Sequence, residues 1–67
     1  MSNLKLIQVD KEEYISADQK TRVEYFAFDS KWRLFAVGRF SALTVDSDLN
    51  LNDLAERNNI TLVHVGD

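Results

Sequence analysis

Residues 23–40, VEYFAFDSKWRLFAVGRF, constrain the fold more than any other stretch of the chain. They read as two strands, residues 23–28 and 32–40, joined by a tight turn at Asp29-Ser30-Lys31. Aromatic and β-branched side chains dominate both runs, and such groups favour a pleated surface where they meet cross-strand neighbours. The turn contains neither Gly nor Asn, which disfavours a two-residue type I′ connection and favours a loop of three to four residues. Two registers are open. Pairing Phe28 with Arg33 puts Glu24, Phe26, Phe28, Phe35 and Val37 on one face. Pairing Phe28 with Trp32 brings Trp32, Leu34 and Ala36 to the Phe26–Phe28 face instead, because a shift of one residue changes every facing. In both, large apolar groups stand on both sides of the hairpin.

The remaining elements are read outward from it. Leu4-Lys5-Leu6-Ile7-Gln8-Val9 forms a first strand, followed by the charged run of residues 10–13. Tyr14-Ile15-Ser16 is either a short strand or an irregular continuation, and residues 17–20 read as an exposed turn. Residues 42–45 extend the sheet or form a loop. One helix signal follows. Asp48 or Asn50 can cap its free N–H groups, and Leu51, Leu54 and Ala55 stand at i, i+3 and i+4 on one helical face. Asp53 in the first turn and Arg57 near the last suit the helix dipole, and Asn58-Asn59 provides a left-handed stop. Ile60-Thr61-Leu62-Val63-His64-Val65 is then a final strand. The expected architecture is a single domain, residues 1–67. It is an α+β fold with a small, mainly antiparallel sheet of three to five strands and one helix packed on a face.

A domain of 67 residues has a thin core. It contains no Cys, so neither a disulfide nor a thiolate metal site supports it. His64 is the sole His, and no metal is expected. The acidic run Asp46-Ser47-Asp48 with Asn50, Asn52 and Asp53 lacks the glycine and terminal glutamate of a calcium loop, so cap and turn duty accounts for it. No leader-like segment and no long apolar run is visible, which points to a cytoplasmic location and no membrane association. The net charge is −3, which disfavours general nucleic-acid binding.

Asp53-Leu54-Ala55-Glu56-Arg57 resembles the first helix of a helix-turn-helix domain, which implies DNA binding. That family places a recognition helix after the turn, whereas a strand-like segment follows here. Lys31-Trp32-Arg33 with Arg39 and Phe40 interleaves basic and aromatic groups, as single-strand nucleic-acid binders do. His64 reads either as a general base or pH switch, or as a strand residue with a hydrogen-bond partner. No nucleophile, Walker loop, dinucleotide motif or HExxH motif accompanies it, so no catalysis and no cofactor are expected.

These observations lead to a small regulatory or accessory domain that binds a protein partner through a surface. In its compactness, acidity and lack of catalytic motifs it is similar to bacterial and phage accessory proteins. The candidate contacts are Tyr25, Trp32, Arg33, Phe35, Arg39 and Phe40 on the hairpin. A second candidate is the acidic surface of Asp48, Asp53 and Glu56. The alternative is a single-stranded nucleic-acid module using the hairpin. A sheet apolar on both faces, with one helix to cover one of them, also leads us to expect a homodimer.

Overall fold

The computed structural model describes residues 4–64. Six strands and one helix follow in the order β1 (Leu4–Asp10), β2 (Glu13–Ser16), β3 (Thr21–Phe26), β4 (Lys31–Val37), β5 (Ala42–Asp48), α1 (Leu51–Arg57) and β6 (Ile60–Val63). The strands form one sheet in the order β5-β4-β3-β2-β1-β6. All neighbours are antiparallel except β1 and β6, which are parallel. The α+β architecture with one helix on a face is thus the one expected. The sheet has six strands rather than three to five, because both undecided segments, 14–16 and 42–45, lie in strands, Glu13–Ser16 and Ala42–Asp48.

The central hairpin differs from expectation in its boundaries and register. Phe26 pairs with Lys31 and Tyr25 with Trp32, so the connection is the four-residue loop 27–30 and Phe28 lies outside the ladder. The loop closes through the Ser30 N–H donating to the Ala27 carbonyl at 3.3 Å, with Ser30 in the left-handed region at φ 57°. Both registers proposed for Phe28 are therefore displaced. The facing of the Phe28–Arg33 alternative survives: Glu24, Phe26, Phe35 and Val37 share one side, while Trp32 and Leu34 point to the other. The second strand ends at Val37, because Gly38 and Ser41 close a turn around Arg39 and Phe40, with the Gly38 N–H donating to the Ser41 carbonyl at 2.6 Å.

Of the two candidate caps, Asn50 holds the helix start, its side chain accepting from the Asp53 N–H at 3.1 Å. At the other end the Asn58 N–H bonds to the carbonyls of Leu54 and Ala55, and Asn59 turns left-handed at φ 56°. The final strand ends at Val63; the expectation for Val65 lies outside the described residues.

Leu54 and Ala55 enter a core made with Leu6, Tyr14, Val23, Leu34 and Ile60, and Trp32, Leu51 and Leu62 pack against it. The sheet must curl to build this core. Asn58 Nδ2 donates to Asp46 of β5 at 2.9 Å, and the carbonyl of the next residue, Asn59, accepts from the Leu4 N–H of β1 at 3.2 Å. In the sheet order β5 and β1 stand four spacings apart, about 19 Å in a flat sheet. Two consecutive residues reach both only if the twisted sheet wraps around α1. The helix thus fills the concave side and leaves a convex outer face.

Candidate functional site

The convex face collects the side chains that alternate away from the core. One row crosses the whole sheet as Val63, Ile7, Ile15, Arg22, Phe35 and Thr44. Beside it run Glu13, Glu24, Arg33 and Ser47. Among the described residues no helix or strand lies over these rows.

Two apolar lobes result, with a charged band between them. The aliphatic lobe is Ile7, Ile15 and Val63. The band is held by Arg22, whose guanidinium donates to Glu24 at 2.8 Å and lies 3.7 Å from Glu13. Glu13 and Glu24 face each other directly across β2 and β3, an arrangement that like charges disfavour. Arg22 between them removes that repulsion.

The aromatic lobe is Phe26, Phe28 and Phe35. The rings of Phe26 and Phe28 meet edge to face with centroids 6.0 Å apart, and Phe35 stands 5.9 Å from Phe26. The Arg33 guanidinium lies 4.6 Å from the Phe26 centroid and 5.2 Å from that of Phe28, within cation–π range. Asp29, in the loop, grips the same guanidinium through both carboxylate oxygens. That hydrogen bond holds the Asp29 carboxyl below its ordinary range. Phe28 thus meets a ring and a guanidinium although 81% exposed.

The hairpin residues expected to bind a partner fall into three places. Arg33 and Phe35 lie on the convex face. Tyr25 and Trp32 turn inward instead, half-buried, with ring centroids 5.1 Å apart, and Trp32 also meets Tyr14 at 6.2 Å. Arg39 and Phe40 occupy the β4–β5 turn, with Phe40 93% exposed. Period-two alternation from Phe26 and Phe35 separates the first two pairs, as the Phe28–Arg33 alternative implies and the Phe28–Trp32 alternative does not. Phe26 and Phe28 join the site without being among the contacts expected from the sequence. Their signal was the shared facing with Phe35 in one of its two registers.

The acidic surface is also divided. Asp53 and Glu56 are exposed on α1. Asp48 instead accepts from Arg57 Nη1 at 2.8 Å, while Arg57 Nε donates to Asp46 at 2.9 Å. Arg57 and, for Asp46, the Asn58 amide hold both carboxyls below the usual range, Asp46 most strongly. The pair of carboxylates thus ties β5 to the end of α1.

His64 borders a shallow cleft of about 500 Å³ with Asn52, Ala55, Glu56, Asn59, Ile60 and Leu62. Its Nδ1 lies 3.2 Å from the Tyr14 hydroxyl and 3.4 Å from Gln8 Oε1, and its ring meets Tyr14 edge to face. These contacts give it hydrogen-bonding partners at the end of β6. Among the described residues no three His, Cys, Asp or Glu stand together as a metal site, and no helix is long and apolar enough to cross a membrane. No protein-family model matches the chain, and comparison with curated proteins and with solved structures finds no significant match.

Proposed function

We propose that this chain is a small, non-catalytic accessory domain that binds a protein partner through the aromatic lobe of its convex face. The observation that carries this reading is Phe28, an exposed ring set against the Phe26 ring and the Arg33 guanidinium, which Asp29 in turn holds. Aromatic groups and arginines are the side chains that dominate binding energy at protein interfaces. A ring already ordered by its neighbours loses little further entropy on binding. A partner that suits the lobe presents apolar side chains to the three rings and polar groups to the flanking band of Glu13, Arg22 and Glu24.

The alternative is stacking of single-stranded nucleic-acid bases on the same rings, with Arg33 beside them. Two features weigh against it. Arg33 and Arg22 are already matched by Asp29, Glu13 and Glu24, and Trp32 is turned to the core.

Affinity purification from a cell extract with three forms of the chain tests the proposal. A partner retained by the wild type and by Glu56→Lys, but lost with Phe28→Asp, supports the aromatic lobe. Retention by Phe28→Asp rejects it. Titration with single-stranded DNA and RNA at two salt concentrations tests the alternative: salt-sensitive binding that Phe28→Ala removes would favour nucleic acid over protein.

A further inference from the structure

The outer edge of β5 presents a different feature. Four of the large exposed apolar side chains gather within ten residues there: Phe40, Leu43, Val45 and Leu49, with Leu43 69% and Val45 59% exposed. An open edge strand offers unpaired N–H and C=O groups, and soluble proteins blunt such edges with Lys, Pro or a covering element. Strand β5, ALTVDSD, carries neither Lys nor Pro. The end of α1 covers one half, since Arg57 and Asn58 bind Asp46 and Asp48. The other half, residues 42–45, is exposed throughout and is the uncharged half.

The ladder also tells which groups point outward. The Gly38 N–H bonds to the Ser41 carbonyl. Hydrogen-bonded pairs recur every second residue in an antiparallel ladder, so Ala36 and Leu43, paired in register, are the next such pair. Ala42 and Thr44 therefore direct their N–H and C=O groups away from β4, toward solvent.

We propose that β5 pairs antiparallel with β5 of a second copy, about a two-fold axis at Leu43. Ala42 of each copy then exchanges main-chain hydrogen bonds with Thr44 of the other, and the two Leu43 side chains meet. The charges select this occupant and this direction. Arg39, which makes no ion pair among the described residues, precedes the strand, whereas Asp46 and Asp48 share the single cation Arg57 at its far end. Antiparallel pairing brings the partner's β4–β5 turn, with Arg39, toward the acidic end of the strand at Asp46 and Asp48; parallel pairing would set like charges together. Edge pairing leaves the aromatic lobe free on both copies and does not depend on its proposed role.

Sedimentation equilibrium of the full chain from micromolar to millimolar concentration tests the proposal. The mass should rise from 7.7 kDa toward twice that value. Thr44→Pro removes an outward N–H without touching the β4 ladder and should hold the mass at 7.7 kDa. Leu43→Lys, which keeps the whole main-chain ladder and sets two ammonium groups across the axis, should do the same and serves should the proline variant not fold. Arg39→Glu should weaken the dimer a few-fold at low salt, with the difference fading at high salt. Phe28→Asp should leave the dimer unchanged. A mass of 7.7 kDa at every concentration overturns the proposal. So does a dimer that survives in folded Leu43→Lys, or one that Phe28→Asp dissolves.

Discussion

Leu54→Ala is the sharpest test of how this fold is held. Leu54 is 0% exposed, on the only helix among the described residues, and its side chain reaches the core shared by β1, β2, β3, β4 and β6. Truncation removes the transfer free energy of the lost carbons and leaves a cavity, together about 2–5 kcal/mol for a buried leucine. The upper part of that range is expected, because the sheet curls around this residue and has no second layer to collapse into the void. At roughly 0.05–0.15 kcal/mol per residue, a domain of this size holds only about 3–10 kcal/mol in total. The variant should therefore lose about half or more of its stability, and unfold outright at the low end. Urea unfolding followed by tryptophan fluorescence measures it, since Trp32 packs against the same core. Glu56→Ala, on the exposed side of α1, should change stability by no more than about 0.5 kcal/mol and serves as control. A loss below about 1 kcal/mol for Leu54→Ala, with an unchanged m-value, would refute the argument that the helix fixes the curl.

Acid should destabilise the domain through its paired carboxylates. The carboxyls of Asp18, Asp29, Asp46 and Asp48 are all held below their ordinary values, by Ser16, Arg33 and, for the last two, Arg57. Groups whose folded pKa is depressed contribute stability that is present above their unfolded pKa, about 4 for aspartate, and is lost as pH falls through the folded value. Denaturation midpoints should be flat above about pH 5 and fall below about pH 4; Asp46→Asn should make the fall shallower, and an unchanged slope would remove Asp46 from the account. Ser30→Gly should raise stability by up to about 1 kcal/mol, because Ser30 sits at φ 57°, where a Cβ is strained and glycine is not. Thermal melts compare the two forms, and a lower midpoint would mean that the hydroxyl or the stiffer backbone of serine outweighs the strain.

Elements with local signals are legible in the chain alone. The helix was legible because Leu51, Leu54 and Ala55 repeat at helical spacing and Asn50 can cap a neighbouring N–H. The hairpin was legible from its aromatic runs, and the last strand from its β-branched residues. Relations between distant residues emerge only when the chain folds. Residues 13–16 and 42–48 carry weak strand signals and become strands because β1 and β3, and then β4, offer them edges to pair with. The hairpin register depends on where the loop closes, at Phe26 and Lys31, and the left-handed Ser30 that permits this has no marker in a chain without Gly or Asn there. Facing follows register, so Tyr25 and Trp32 could not be told apart from Phe26 and Phe35 by composition. The curl of the sheet arises from its twist and from a helix short enough to be wrapped. That curl places Asp46 beside Asn58, twelve residues later in the chain, and divides the convex aromatic face from the core.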